Sequence, residues 1–228
     1  MIKAIIFDVY GTLISTGNGS VTAAGEILKK INVDMDAKVF YKKWKEFHKK
    51  QMNEMKEFIT EKEVFENDLK LLYEFYNLKG NYKEDVKIML ESLYKRKAFE
   101  ETNEVLDNLS KKYKIYIGST TDTEPLMVNI KSNNMKVDKI YTSESLKEYK
   151  PKKEFYTKIL NDVNLSANEV VFVGDSLLED VQGPQSVGIY SILIDRKGKY
   201  DEDERKIPDA VISDLRELDK LLADLNNS

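Results

Sequence analysis

Five short apolar runs punctuate the chain: Ala4 to Phe7, Ile115 to Ile117, Val170 to Val173, Ser191 to Ile194 and Ala210 to Ile212. Each is rich in β-branched residues and nearly continuous, the pattern of a strand buried on both faces. Amphipathic stretches separate the later runs, at Glu101 to Lys112, Thr123 to Asn133, Lys152 to Asn164, Leu178 to Val187 and Leu215 to Leu225. Strands alternating with helices in this way predict an α/β fold, a doubly wound and mostly parallel sheet with right-handed crossovers. Lys139-Ile140-Tyr141 adds a shorter, weaker strand.

The alternation breaks between the first and second runs, where the periodicity is helical throughout. Phe40, Trp44, Phe47, Met55 and Phe58 fall at spacings compatible with one helix face, as do Phe65, Leu69, Leu72 and Tyr76, and then Val86, Leu90 and Leu93. A helical insertion over residues 15–97 is expected, with an α/β core made from residues 1–14 and 98–228. The polar joints Ser15 to Ser20 and Lys95 to Ala98 are its expected hinges. The polar run Arg196 to Lys206 reads as a solvated connection between two strands.

Composition narrows the chemistry. The chain has 228 residues, 36 Lys and Arg against 40 Asp and Glu, a net charge of −4 and 41% hydrophobic residues. Its mean hydropathy is −0.50. The balance argues against a nucleic-acid partner bound through a basic field, and no apolar run approaches the roughly 20 residues of a membrane-spanning helix. A soluble monomer or homodimer is expected. Cysteine is absent, which excludes disulfides, thiol nucleophiles and Cys-ligated metals. His48 is the one histidine; among Lys45, Lys49 and Lys50 it reads as a solvated helix position without a role. Met1 leads straight into the first strand run without the pattern of a signal peptide, so the cytoplasm is the expected location.

Three apolar runs end in polar residues. The first ends at Asp8, the second passes through Gly118 to Ser119 and Thr120, and the third passes through Gly174 to Asp175 and Ser176. Open parallel sheets bind ligands beyond the carboxyl ends of their strands, so the three ends are expected to converge. Asp8 and Asp175 suit a hard cation such as Mg²⁺, which would neutralise a phosphate, and one carboxylate can serve as a nucleophile. The Ser119 hydroxyl and an ammonium would complete the charge balance; Lys150, directly before Pro151, is the candidate.

These residues resemble the four successive motifs of the haloacid dehalogenase (HAD) superfamily. The motifs are Phe7-Asp8-Val9-Tyr10-Gly11-Thr12-Leu13, the strand ending in Ser119, Lys150-Pro151, and Val173-Gly174-Asp175-Ser176-Leu177-Leu178-Glu179-Asp180-Val181 followed by Gly183. The resemblance spans essentially the whole chain and implies a Rossmann-like core with the insertion as a cap, the active site lying between the two. It implies Asp8 as nucleophile and Mg²⁺ ligand, Asp175 as second carboxylate ligand and the Tyr10 carbonyl as a third. Ser119 and Thr120 would hold the phosphoryl oxygens of a small phosphorylated substrate, and Lys150 would bridge nucleophile and phosphate. Ser176 and Asp180 would stand behind the ligands, Asp180 orienting water or Lys150.

Position 10 departs from the phosphatase pattern. Phosphatases of this superfamily carry a second Asp there, which protonates the leaving oxygen and later activates water; this chain has Tyr10. A tyrosine there resembles the haloacid dehalogenases themselves, whose halide leaves without a proton. Asp175 points the other way, because the dehalogenases lack this metal-binding acid. A Mg²⁺-dependent phosphatase is the favoured reading. A metal-independent 2-haloacid dehalogenase and a weakly active regulatory relative stand beside it.

Overall fold

The computed structural model describes residues 1–227. Six strands, β1 (Ala4–Phe7), β2 (Lys114–Ser119), β3 (Lys139–Thr142), β4 (Val170–Gly174), β5 (Tyr190–Ile194) and β6 (Ala210–Ile212), form one sheet in the order β3-β2-β1-β4-β5-β6. Every pairing is parallel. All residues of β1 and β4 are buried, as their unbroken apolar runs require of central strands covered on both faces. The weak Lys139 run is a real edge strand. The chain builds β1, β2 and β3 outward on one side, then returns across β1 to start β4 on the other. The topological switch point therefore falls between β1 and β4.

From residue 102 onward the chain's helices are α5 (Thr102–Leu109), α6 (Thr123–Ser132), α7 (Ser143–Leu146), α8 (Lys153–Val163), α9 (Gly183–Gln185) and α10 (Leu218–Asn227). The continuous helix expected over 178–187 is instead a π-helical turn, Leu177–Gln182, followed by the short α9. Two close approaches bend the chain here. A Cβ on Gly174 would sit 2.3 Å from Asp180 Cγ, and one on Gly183 would sit 2.1 Å from the Tyr156 hydroxyl. The single turn α7 lacks the length to register as a period, and its stop at Lys147 is left-handed (φ 54°).

The chain divides into two compact units. The first holds the sheet and comprises residues 1–15, 97–120 and the chain from Ile130 onward; the second comprises residues 16–96 and 121–129, so that the division passes through α6. The second unit is helical, with α1 (Gly19–Lys30), α2 (Ala37–Glu54), α3 (Glu61–Phe75) and α4 (Tyr82–Leu93). Phe40, Trp44, Leu69, Leu72 and Val86 lie in its core. Met55 ends α2 and Phe58 falls in the loop beyond it, outside the helix face assigned to them from spacing. Asp122 accepts hydrogen bonds from the Glu61 and Lys62 amides, capping α3 alongside Thr60. His48 is not simply solvated: its Nδ1 lies 2.8 Å from the fully buried Asp68. No described helix is long and apolar enough to cross a membrane.

Candidate active site

The register of the sheet places the chemistry. Phe7 pairs with Val173 of β4 and with Ile117 of β2, so Asp8 emerges from β1 beside Gly174, and its amide donates to the Val173 carbonyl at 2.8 Å. Ser119 ends β2, two residues beyond the Phe7–Ile117 pair, and is buried. Asp175 follows β4 directly. All three chain ends open at the carboxyl side of the sheet, around the switch point.

Lys150 joins the carboxylates. Its Nζ donates to Asp8 Oδ1 at 2.8 Å and to Asp180 Oδ1 at 2.6 Å, with its side chain wholly buried. Burial alone would lower the ammonium's pKa, but the charges of Asp180, Asp8 and Glu179 outweigh it and hold the group well above the ordinary lysine value. Lys150 is thus a fixed cation. The helix expected over Lys152 to Asn164 runs from Lys153 to Val163.

Asp180 has its second oxygen occupied by the Ser176 amide, 3.0 Å away, and Ser176 Oγ in turn accepts from the Glu179 amide at 3.3 Å. Ser176 therefore caps the π-helical turn, and Asp180 braces both that turn and Lys150. On the other side of Asp8, the Thr12 hydroxyl donates to Oδ2 at 3.1 Å. Tyr10 sits half-buried in the turn between, its backbone bridged to Ile14. Gly11 follows with φ +102°, and a Cβ there would come within 2.6 Å of Asp175 Oδ2, so the turn needs glycine for its dihedral and for its approach to that carboxylate.

Carboxylate oxygens of Asp8, Asp175 and Asp180 lie within 4.8 Å of one another. Burial, and next the charge of Asp8, push the Asp175 carboxyl above its usual range; Lys199 pulls the other way. An all-oxygen set with surplus negative charge fits a hard divalent cation such as Mg²⁺.

Several contacts around the site carry no signal in the sequence. Thr120 Oγ1 reaches Glu179 Oε2 at 3.5 Å, and burial, with the charges of Asp8 and Asp175, raises the Glu179 pKa against the pull of Lys150. The Tyr156 hydroxyl donates to the Glu179 carbonyl. The connection read as solvated is folded against the site. From it Arg196 donates to the Thr12 carbonyl at 2.7 Å, pairs with Glu101 at 2.6 Å and covers the Phe99 ring at 3.7 Å, while Lys199 meets Asp175 at 3.3 Å. An Arg and a Lys in a polar run carry no local signal of this, since the run looks the same whether it faces solvent or the sheet.

Comparisons with known proteins agree with this architecture. The profile of the haloacid dehalogenase-like hydrolases matches residues 5–194. Over 70 residues, 29% of the chain, it is 44% identical to a phospholysine phosphohistidine inorganic pyrophosphate phosphatase of Danio rerio, a match spanning only 26% of that relative's length. Over 97% of the chain and 95% of the relative, it is 25% identical to (S)-2-haloacid dehalogenase 4A of Burkholderia cepacia. Among solved structures, the magnesium-bound HAD-hydrolase YfnB of Bacillus subtilis superposes with a TM-score of 0.83 at 19% identity, covering 97% of this chain and 99% of that one. At that identity the likeness speaks for the fold. The profile covers most of the chain and both acidic strand ends, and the protein belongs to the haloacid dehalogenase-like hydrolases.

Proposed function

We propose that this hydrolase is a Mg²⁺-dependent phosphatase of small phosphate esters. The observation that carries the reading is Asp175: a carboxylate held against the Gly11 turn, within 4.8 Å of Asp8 and Asp180. A carboxylate attacking carbon to expel a halide gains nothing from a metal or from a second acid beside it. A carboxylate attacking a phosphate dianion needs both charges countered. Asp8, Asp175 and the Tyr10 carbonyl would hold Mg²⁺, which when bound supplies charge neutralisation for the phosphoryl group.

Asp8 attacks phosphorus through a carboxylate oxygen, and the bond from phosphorus to the ester oxygen breaks, giving an aspartyl-phosphate and an alkoxide or phenoxide that takes its proton from water. Water then cleaves the acyl phosphate, releasing inorganic phosphate and restoring Asp8. Lys150 neutralises Asp8 and the incoming phosphoryl oxygens, with Asp180 fixing the ammonium. Thr12 orients Asp8 through its second oxygen. Ser119 and Thr120 would bind phosphoryl oxygens from the end of β2.

Tyr10 supports a second reading, a metal-independent 2-haloacid dehalogenase, as does the nearly full-length match to the Burkholderia cepacia dehalogenase. A paired assay separates the two: phosphate release from an aryl phosphate and halide release from a 2-haloacid, each with and without EDTA. Phosphate release that stops with EDTA and returns with Mg²⁺ is expected. Chelator-insensitive halide release would install the dehalogenase instead, and turnover of neither substrate alongside tight Mg²⁺-dependent phosphate binding would favour a regulatory relative.

A further inference from the structure

The segment after β5 is built to deliver a cation to Asp175. Asp195, at the carboxyl end of β5 and almost fully buried, accepts the Lys199 amide at 2.9 Å and the Tyr200 amide at 3.4 Å on its two oxygens. Arg205 closes the loop from the other side, donating to Asp195 Oδ2 from Nε at 3.1 Å and from Nη2 at 2.6 Å. This frame aims two consecutive side chains at the turn after β4. The Tyr200 hydroxyl donates to the Asp175 carbonyl at 2.8 Å and accepts from the Leu177 amide at 3.3 Å, fixing the backbone on either side of Ser176. The Lys199 ammonium lies 3.3 Å from Asp175 Oδ2 and 4.7 Å from the centre of the Tyr200 ring.

The two residues do different work. Tyr200 holds the backbone that carries Asp175, whereas Lys199 neutralises the side chain on a long, half-exposed stem. An ammonium and a divalent cation on one carboxylate repel each other; the buried Lys150 is fixed beside Asp8, whereas the half-exposed Lys199 can swing away from Asp175, and the Tyr200 ring gives it a surface on which to rest. We propose that Lys199 is an internal counter-cation that competes with the divalent metal for Asp175, so that the strap from Asp195 to Arg205 sets the metal affinity of the site. The inference rests on the metal-dependent reading above and adds a residue to it. It also gives the strap a function: an Asp175 already half neutralised releases its metal more readily than an unpaired Asp175 would.

The test is direct Mn²⁺ binding to the substrate-free protein, read from the electron paramagnetic resonance signal of unbound Mn²⁺. Four proteins are compared: wild type, Lys199→Met, Lys199→Arg and Asp175→Asn. Lys199→Met should bind Mn²⁺ about fivefold more tightly than wild type, the scale of one half-exposed ion pair, and the gain should shrink as salt is raised. Lys199→Arg keeps the charge and should stay near wild type, while Asp175→Asn should bind far more weakly. If Asp175→Asn leaves binding unchanged, or no protein binds Mn²⁺, the metal reading itself falls and the proposal falls with it. If binding depends on Asp175 but Lys199→Met is no tighter than wild type, the metal reading stands and the competition is overturned. Weaker binding by Lys199→Met also overturns it, by showing that Lys199 positions Asp175 for the metal.

Discussion

Lys150 Nζ lies 2.8 Å from Asp8 Oδ1 across 142 positions of sequence, and the contact is buried. The same ammonium serves Asp180 at 2.6 Å. Lys150→Met would leave two buried carboxylates facing each other without a counter-charge, a change worth about 3–5 kcal/mol of stability when a buried pair is broken. Urea unfolding of the metal-free protein should show that loss. Adding Asp180→Asn to Lys150→Met removes one of the stranded charges and should recover part of it, with turnover absent from both variants. A single variant as stable as wild type would mean that Asp8 and Asp180 do not need this cation in order to stay buried.

Gly11 tests how tightly the turn after Asp8 is fitted to Asp175. Gly11→Ala meets a left-handed dihedral and places a methyl 2.6–2.8 Å from the Asp175 carboxylate atoms, so either the turn or Asp175 must move. An alanine at such a dihedral costs about 1–2 kcal/mol. The expected signature is a modest drop in urea midpoint with a much larger loss of Mn²⁺ affinity, because the displaced group is the proposed ligand. Equal affinity in the two proteins would show that the turn yields and Asp175 stays in place, or that Asp175 holds no metal; Asp175→Asn separates the two.

The sheet was legible in the sequence because central parallel strands are apolar without interruption, so their ends could be read from the first polar residue. That argument found Asp8, Ser119 and Asp175 together, and the structure sets all three at the carboxyl ends of β1, β2 and β4. Lys150 was legible only through its place before Pro151. Lys199 and Tyr200 were not, because their orientation is imposed by Asp195, which also holds Arg205 ten residues further on; nor was Arg196, whose partners Thr12, Phe99 and Glu101 are remote in sequence. The turn at 177–182 was misread for a related reason: a helical period in composition cannot show that Asp180 and Gly183 are drawn inward by Gly174 and Tyr156. Asp68 was hidden too, since a charged residue on an amphipathic helix reads as surface unless its partners on the neighbouring helix are known.

Asp68 gives a pH prediction within the helical unit. Its carboxylate accepts from the Trp44 indole at 3.2 Å and from Gln51 at 3.0 Å, with His48 Nδ1 at 2.8 Å. Burial pushes its pKa up, and the donors, His48 first, only partly offset this. A carboxyl whose folded pKa is raised contributes stability that is fully present below its unfolded pKa and is lost as the pH rises through the folded pKa. Trp44 is the one tryptophan of the chain, so its emission reports the event. The emission should titrate with a midpoint above the ordinary Asp value of about 3.9, and unfolding free energy should fall across the same interval. His48→Ala should move the midpoint higher still, and Asp68→Asn should abolish the transition. A midpoint at or below the ordinary value would mean that the three partners outweigh burial.

Tyr10 yields the prediction most particular to this chain. A positioned acid and base is worth about 10²- to 10⁴-fold, and a phenol with a pKa near 10 is a poor base toward water. Without a carboxyl at position 10, the leaving group must depart nearly unassisted, so rates should fall steeply as its pKa rises. Aryl and acyl phosphates should be turned over far faster than sugar or other alkyl phosphates. The same lack should slow hydrolysis of the aspartyl-phosphate, which would appear as a burst of product with good substrates. Tyr10→Asp should raise alkyl-phosphate turnover at least about tenfold, the low end of the usual contribution because a carboxyl is shorter than the phenol it replaces. It should change aryl phosphates much less, since their leaving groups do not need the proton. The comparison is made at saturating Mg²⁺, with Mn²⁺ affinity measured in parallel, so that a disturbed turn is not mistaken for missing acid catalysis. Similar rates for alkyl and aryl phosphates in the wild type, with no gain from Tyr10→Asp at unchanged affinity, would show that another side chain supplies the proton.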